Sequence, residues 1–123
     1  MIGVVTKKRR NAVAKRKASN IRVLRERLKM PQRVFARLVG VSERSLIKYE
    51  SRDEYGEAVE RQVSSLARLE AALARVVKRE SIGEWFQKPN PAFDNLKPLE
   101  VVERGEIDRL WAMIYQLESG TVS

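Results

Sequence analysis

The residues best placed to do chemistry lie in QRVFARLVGVSERSLIKYE, Gln32 to Glu50. Its second half offers Ser42, Glu43, Arg44, Ser45, Ile47 and Lys48 toward what should be the outer face of a helix, while Val41, Leu46 and Tyr49 pin that helix from within. Hydroxyls, a guanidinium and an ammonium at this spacing do not form a catalytic set. They suit recognition of a nucleic-acid groove, where an arginine can fork onto guanine O6 and N7. Glu43 would accept from a cytosine N4 or simply favour the helix N-terminus. The plainer alternative is the solvated face of a packed helical hairpin.

Such a face needs elements to hold it. Phe35, Leu38 and Val39 form the inner side of a preceding helix, with Pro31 suited to its first turn. Ala36 is small where two helices would approach closely, and Gly40 can take the left-handed conformation of a tight turn. Ser42 is positioned to cap the outer helix. Upstream, Ser19 or Asn20 can cap a further helix whose Ile21, Leu24 and Leu28 share one face. Residues 1–18 form a basic arm containing Lys7, Lys8, Arg9, Arg10, Lys15, Arg16 and Lys17, with little to bury. Residues 1–55 hold 16 Lys/Arg against 5 Asp/Glu, and residues 56–123 hold 9 against 11, so nets of +11 and −2 make up the chain's +9. A basic half of this kind usually meets a polyanion.

With these elements in place, residues 20–55 resemble the Cro/repressor-type (Xre) helix-turn-helix, carried by Gln32, Ala36, Gly40, Leu46 and Tyr49. The resemblance implies that Gln32 touches phosphate, that Arg44 and Ser45 read bases, and that Lys48 reaches a base or a phosphate. Arg33, Arg37 and Arg52 would contact the backbone or remain plain surface, and Ser42 completes the candidate DNA-binding set. One departure is Pro31, where the family commonly has a serine cap; this alters helix entry and removes one phosphate contact.

From Glu57 to about Arg79 neither proline nor glycine interrupts the chain. Val59, Val63, Leu66, Leu69, Leu73, Val76 and Val77 fall at helical steps, which predicts a long linking helix over 57–80 that serves as a strut or a dimer seam. Ser81 and Glu84 have capping-box spacing. Pro89-Asn90-Pro91 is a turn in which Asn90 can bond its own loop backbone. Pro98 opens a short helix that Gly105 stops. A last helix over about 106–118 has Ile107, Leu110, Trp111, Ile114 and Leu117 as its inner face. No stretch sustains strand alternation, so the expected class is all-α.

The segment 84–118 resembles the toxin-binding domain of Xre/MbcA/ParS-type antitoxins, carried by Trp85, Phe86, Pro89, Asn90, Pro91, Pro98, Leu99, Glu100, Gly105 and Ile114. The resemblance implies a type II antitoxin. It has a helix-turn-helix over 19–56, a linking or dimerisation helix over 57–80 and a toxin-binding domain over 81–123. Its implied partners are double-stranded promoter DNA, a RES-domain toxin that consumes NAD, and a second copy in a homodimer. Asp108, Arg109, Met113, Tyr115 and Gln116 on the last helix, with the tail Ser119–Ser123, are the candidate toxin contacts. A stand-alone regulator whose rear half only dimerises it is the alternative.

Composition narrows the rest. The chain of 123 residues has no cysteine and no histidine, which excludes disulfides, thiolate or imidazole metal sites and triads that need either residue. Only Ser, Lys, Tyr and carboxylates remain for catalysis, and none has catalytic spacing, so neither an enzyme nor a cofactor is expected. The opening MIGVV is too short for a signal-peptide core, and no apolar run is long enough to span a bilayer. A cytoplasmic location without membrane contact is the expectation.

Overall fold

The computed structural model describes residues 21–52 and 54–120. Regular structure there is helical: residues 21–27 (α1), Gln32–Val39 (α2), Glu43–Arg52 (α3), Glu57–Leu73 (α4), Ile82–Phe86 (α5), Pro98–Glu103 (α6) and Asp108–Ser119 (α7), with 3₁₀ turns at Arg79–Ser81 and Pro91–Phe93. The all-α expectation therefore holds. The chain divides into two compact units, one ending at Ser64 and the other beginning at Ser65, with the divide inside α4. The basic arm, the Ser19 or Asn20 cap and the tail from Thr121 lie outside the described residues.

In the first unit, α1 buries Ile21 and Leu24, and Leu28 just past its end is buried on the same side, as the spacing predicted. It ends on Lys29, which takes a left-handed φ of 55°. Lys29 N–H bonds Glu26 O at 3.0 Å and Met30 N–H bonds Arg25 O at 3.3 Å, which closes a Schellman turn with Met30 buried beneath it. Pro31 stands at the N-cap of α2, one place before the first turn expected for it, because its backbone is extended (φ −67°, ψ 158°). Its carbonyl accepts from Val34 and Phe35, both at 3.1 Å. Val34, Phe35, Ala36, Leu38 and Val39 are buried, and α2 packs on α3. Gly40 has φ 81°, and an added Cβ there would meet nothing within 4 Å. The glycine is thus required by backbone conformation, not by space. Ser42 Oγ accepts the Ser45 N–H at 3.0 Å and caps α3, whose Leu46 is fully buried.

In the second unit, Leu66, Leu69, Ala72 and Leu73 of α4 are buried. Contrary to the expected run to Arg79, α4 stops at Leu73. The chain tightens there into three-residue turns, with Arg75 N–H on Ala72 O at 3.1 Å and Val76 N–H on Leu73 O at 2.9 Å. The expected capping box at Ser81 is also absent. Ser81 ends a 3₁₀ turn with φ −101° and ψ −4°, a helical backbone that directs no side-chain cap, and Glu84 pairs with Lys88 at 3.2 Å instead. Half of such a box occurs at α6, where the Lys97 N–H donates to Glu100 Oε1 at 2.8 Å. Gly105, at φ 78°, ends α6 in a Schellman turn: its N–H bonds Val102 O at 2.9 Å and the Glu106 N–H bonds Val101 O at 3.0 Å.

The Pro89-Asn90-Pro91 corner is built as expected. Asn90 Oδ1 accepts from Ala92 N–H at 2.9 Å, and Asn90 O accepts from Phe93 and Asn95. The corner sets Phe93 into the core, where Trp85 meets the edges of Phe86 (5.2 Å between centroids) and Phe93 (6.3 Å). Burial of Phe86 and Phe93 contributes on the order of 2–3 kcal/mol each. On α7, Leu110 and Ile114 are buried and Trp111 half-buried, as is Ile107 at its N-cap, but Leu117 is 46% exposed. The apolar period simply outruns the elements available to cover it.

Candidate nucleic-acid interface and partner surface

The outer face of α3 carries Arg44, Ile47, Lys48 and Ser51, spaced i, i+3, i+4 and i+7 and all exposed. This is one continuous stripe, and it contains the two cations that the sequence singled out. Ser45 is half-exposed beside it. Ser42 has another duty. Its Oγ takes the Ser45 N–H and donates to Ser45 Oγ at 3.0 Å, so it organises the helix start. Arg52 is exposed in the last turn of α3, and Arg33 is exposed near the start of α2.

What aims this face is a charged cluster beneath it that sequence reasoning missed. Glu50 is only 5% exposed. Its Oε2 accepts from Arg25 Nε at 2.7 Å and its Oε1 from Arg25 Nη2 at 3.0 Å, a two-pronged pair. Gln32 Nε2 also donates to Oε1, at 3.1 Å. Arg22 Nη2 donates to the Glu50 carbonyl at 2.6 Å, and Arg25 Nη1 to the Met30 carbonyl at 3.2 Å. One carboxylate thus fastens α1 and the first residue of α2 to the inner side of α3. The hydrogen bond to Glu50 raises the pKa of Arg25 above its ordinary value, so the guanidinium stays charged. Gln32, expected at phosphate, is half-buried and spends its amide on this clamp. The available signal was position: Glu50 falls one turn after Leu46, on the inner stripe.

In the second unit the candidate residues of α7 separate into two groups. Arg109, Met113 and Gln116 line an open groove of about 230 Å³ together with Ala92, Phe93 and Ala112. Arg109 is held there by Glu106 at 3.0 Å and Asp94 at 3.3 Å, with its guanidinium 5.8 Å from the centre of the Phe93 ring. Asp108 and Tyr115 are exposed on α7 but do not line the groove, and Tyr115 is 69% exposed. Near the end of α7, Glu118 accepts from Arg75 at 2.6 and 3.2 Å. That hydrogen bond holds its carboxyl below the usual glutamate range. Among the described residues no group of three carboxylates is placed to hold a metal ion, and no helix is long and apolar enough to cross a membrane.

No family model matches the chain. It is similar to the mycobacterial cidal antitoxin MbcA of Mycobacterium tuberculosis and of Mycobacterium bovis, with 28% identity over 104 residues, 84% of this chain and 92% of the relative. Among solved structures it is similar to the crystal structure of the M. tuberculosis MbcT–MbcA toxin–antitoxin complex, with a TM-score of 0.68 and 27% identity over 86% of this chain and 96% of that one.

Proposed function

We propose that the chain is an antitoxin whose second unit binds and neutralises a toxin and whose first unit binds its own promoter as an autorepressor. The observation that carries the antitoxin reading is the similarity to MbcA, in sequence and in fold, along most of both chains. A likeness of that extent takes in both units, so the function is argued for the chain and not for one domain. The solved relative is a toxin–antitoxin complex, which supports a polypeptide toxin as partner. The toxin's class is taken to be RES-type and NAD-consuming, on the resemblance of segment 84–118. Binding, not catalysis, is then the whole activity.

The DNA half rests on different support: the exposed Arg44/Lys48 stripe, the clamp behind it and the net +11 of residues 1–55. Arg44 and Ser45 read bases, Lys48 reaches a base or a phosphate, and Arg33 and Arg52 bind backbone, while Gln32 and Ser42 hold the helix starts that aim them. The protein acts as a homodimer, so two such helices meet successive major grooves, in the cytoplasm.

The test is to induce the protein encoded beside this gene in cells, follow NAD content and growth, and repeat with this chain co-expressed. NAD loss and arrest that co-expression reverses are the expected result; arrest that persists would refute neutralisation. Binding to the duplex upstream of the gene should fall steeply between 50 and 200 mM salt, as counterion release requires for about six or more phosphate contacts. Flat salt dependence would refute the DNA half.

A further inference from the structure

Within the polar stripe of α3, one side chain does not match its neighbours. Ile47 is 44% exposed, midway along the stripe and flanked by Arg44 and Lys48. It is not one of the buried core residues, whereas the adjacent Leu46 is fully buried. An isolated exposed apolar side chain is ordinary on a protein surface. Its setting here is not, since a branched hydrocarbon between two cations is poorly suited to an apolar protein partner. That setting is well suited to the floor of a major groove, where phosphates lie to either side and the apolar feature available is the thymine 5-methyl group.

We propose that Ile47 is a specificity-determining residue that covers one or two thymine methyl groups while Arg44 and Lys48 engage the flanking polar edges. This rests on the reading of the first unit as DNA-binding and deepens it. It assigns sequence preference to a dispersion contact as well as to hydrogen bonds. The one-turn spacing from Arg44 to Lys48 brackets Ile47, so a base step read by the arginine lies next to the step whose methyl Ile47 meets. Covering one methyl is equivalent to burying one CH₂-sized group, which corresponds to about fourfold in affinity.

The experiment uses the full chain and the duplex from upstream of its own gene, prepared once with thymidine and once with deoxyuridine throughout. The two differ only by the 5-methyl groups. Wild type is expected to bind the thymidine duplex about fourfold tighter for each methyl covered. Ile47→Ala should bind both duplexes alike, at the level wild type shows for deoxyuridine, and Ile47→Val should retain part of the preference. Because Ile47 lies outside the buried core, both variants should stay folded, with helix content retained and only a small shift in melting temperature. A wild-type preference that survives Ile47→Ala overturns the proposal, as does equal wild-type affinity for the two duplexes. So does an Ile47→Ala variant whose defect is loss of self-association with the thymidine preference intact. Absence of binding to either duplex would remove the DNA reading itself, a result distinct from bound but methyl-blind protein.

Discussion

Replacing Glu50 by alanine should damage the first unit about as much as truncating one of its core side chains. The carboxylate is 5% exposed and its main partner, the Arg25 side chain, 18% exposed, so neither is free to exchange its partner for water without local opening. Removing one member of a buried pair costs about 3–5 kcal/mol, because the other charge is stranded. Arg25 keeps its bond to the Met30 carbonyl, which argues for the lower end, about 3 kcal/mol. Gln32 loses its acceptor in the same step. Against a typical domain stability of about 5–15 kcal/mol, that is a large share. Urea unfolding at pH 7 gives the global value, with amide exchange at Phe35 and Leu38 reporting the first unit directly. Trp85 and Trp111 lie beyond Ser65, so tryptophan fluorescence reports the second unit. The double change Arg25→Met with Glu50→Leu should recover most of the loss, since it removes both charges and both desolvation costs. A Glu50→Ala loss under about 0.5 kcal/mol, or a double variant as weak as the sum of the singles, would refute the clamp.

Lys29→Gly should stabilise the first unit by about 0.5–1 kcal/mol, since a left-handed residue with a Cβ costs about 1–2 kcal/mol and glycine's extra chain entropy returns part of it. A lower melting temperature would show that the lysine side chain contributes more than its backbone costs. The Glu118 carboxyl should titrate below the usual glutamate range and return to it in Arg75→Ala. A depressed folded pKa means the pair's stabilisation is present above the ordinary glutamate value and is lost as pH falls through the lowered one. NMR titration of that side chain checks this, and an unchanged value in the variant contradicts it. Arg44→Ala should weaken the preferred duplex by about 1–3 kcal/mol and relax sequence preference. Equal weakening on every duplex would make Arg44 a phosphate anchor.

The first unit was legible where local chemistry decides conformation. Gly40, Ser42 and the apolar steps Phe35, Leu38 and Leu46 each fix a turn, a cap or a face from their immediate neighbours, and all stand as expected. The Asn90 corner was legible for the same reason. Glu50 was not, because a glutamate on an inner stripe reads as surface until Arg25, 25 residues upstream, is known to face it. The end of α4 was hidden by the continuing apolar period: Val76 and Val77 keep the steps, and no proline or glycine marks the stop. Ser81 shows spacing without the extended backbone that a cap needs. On α7 the period marked Leu110 and Ile114 correctly, but burial of Leu117 depends on a neighbour that periodicity cannot see. The candidate partner residues divided because Arg109, Met113 and Gln116 share one helical stripe, while Asp108 and Tyr115 share another.

The most direct test is amide exchange of the purified full chain, alone and mixed with the purified protein encoded beside its gene, alongside gel filtration of the mixture. The account predicts a stoichiometric complex that elutes as one species, with new protection concentrated in residues 65–120 and centred on α7. Separate elution with an unchanged exchange pattern across those residues would contradict it.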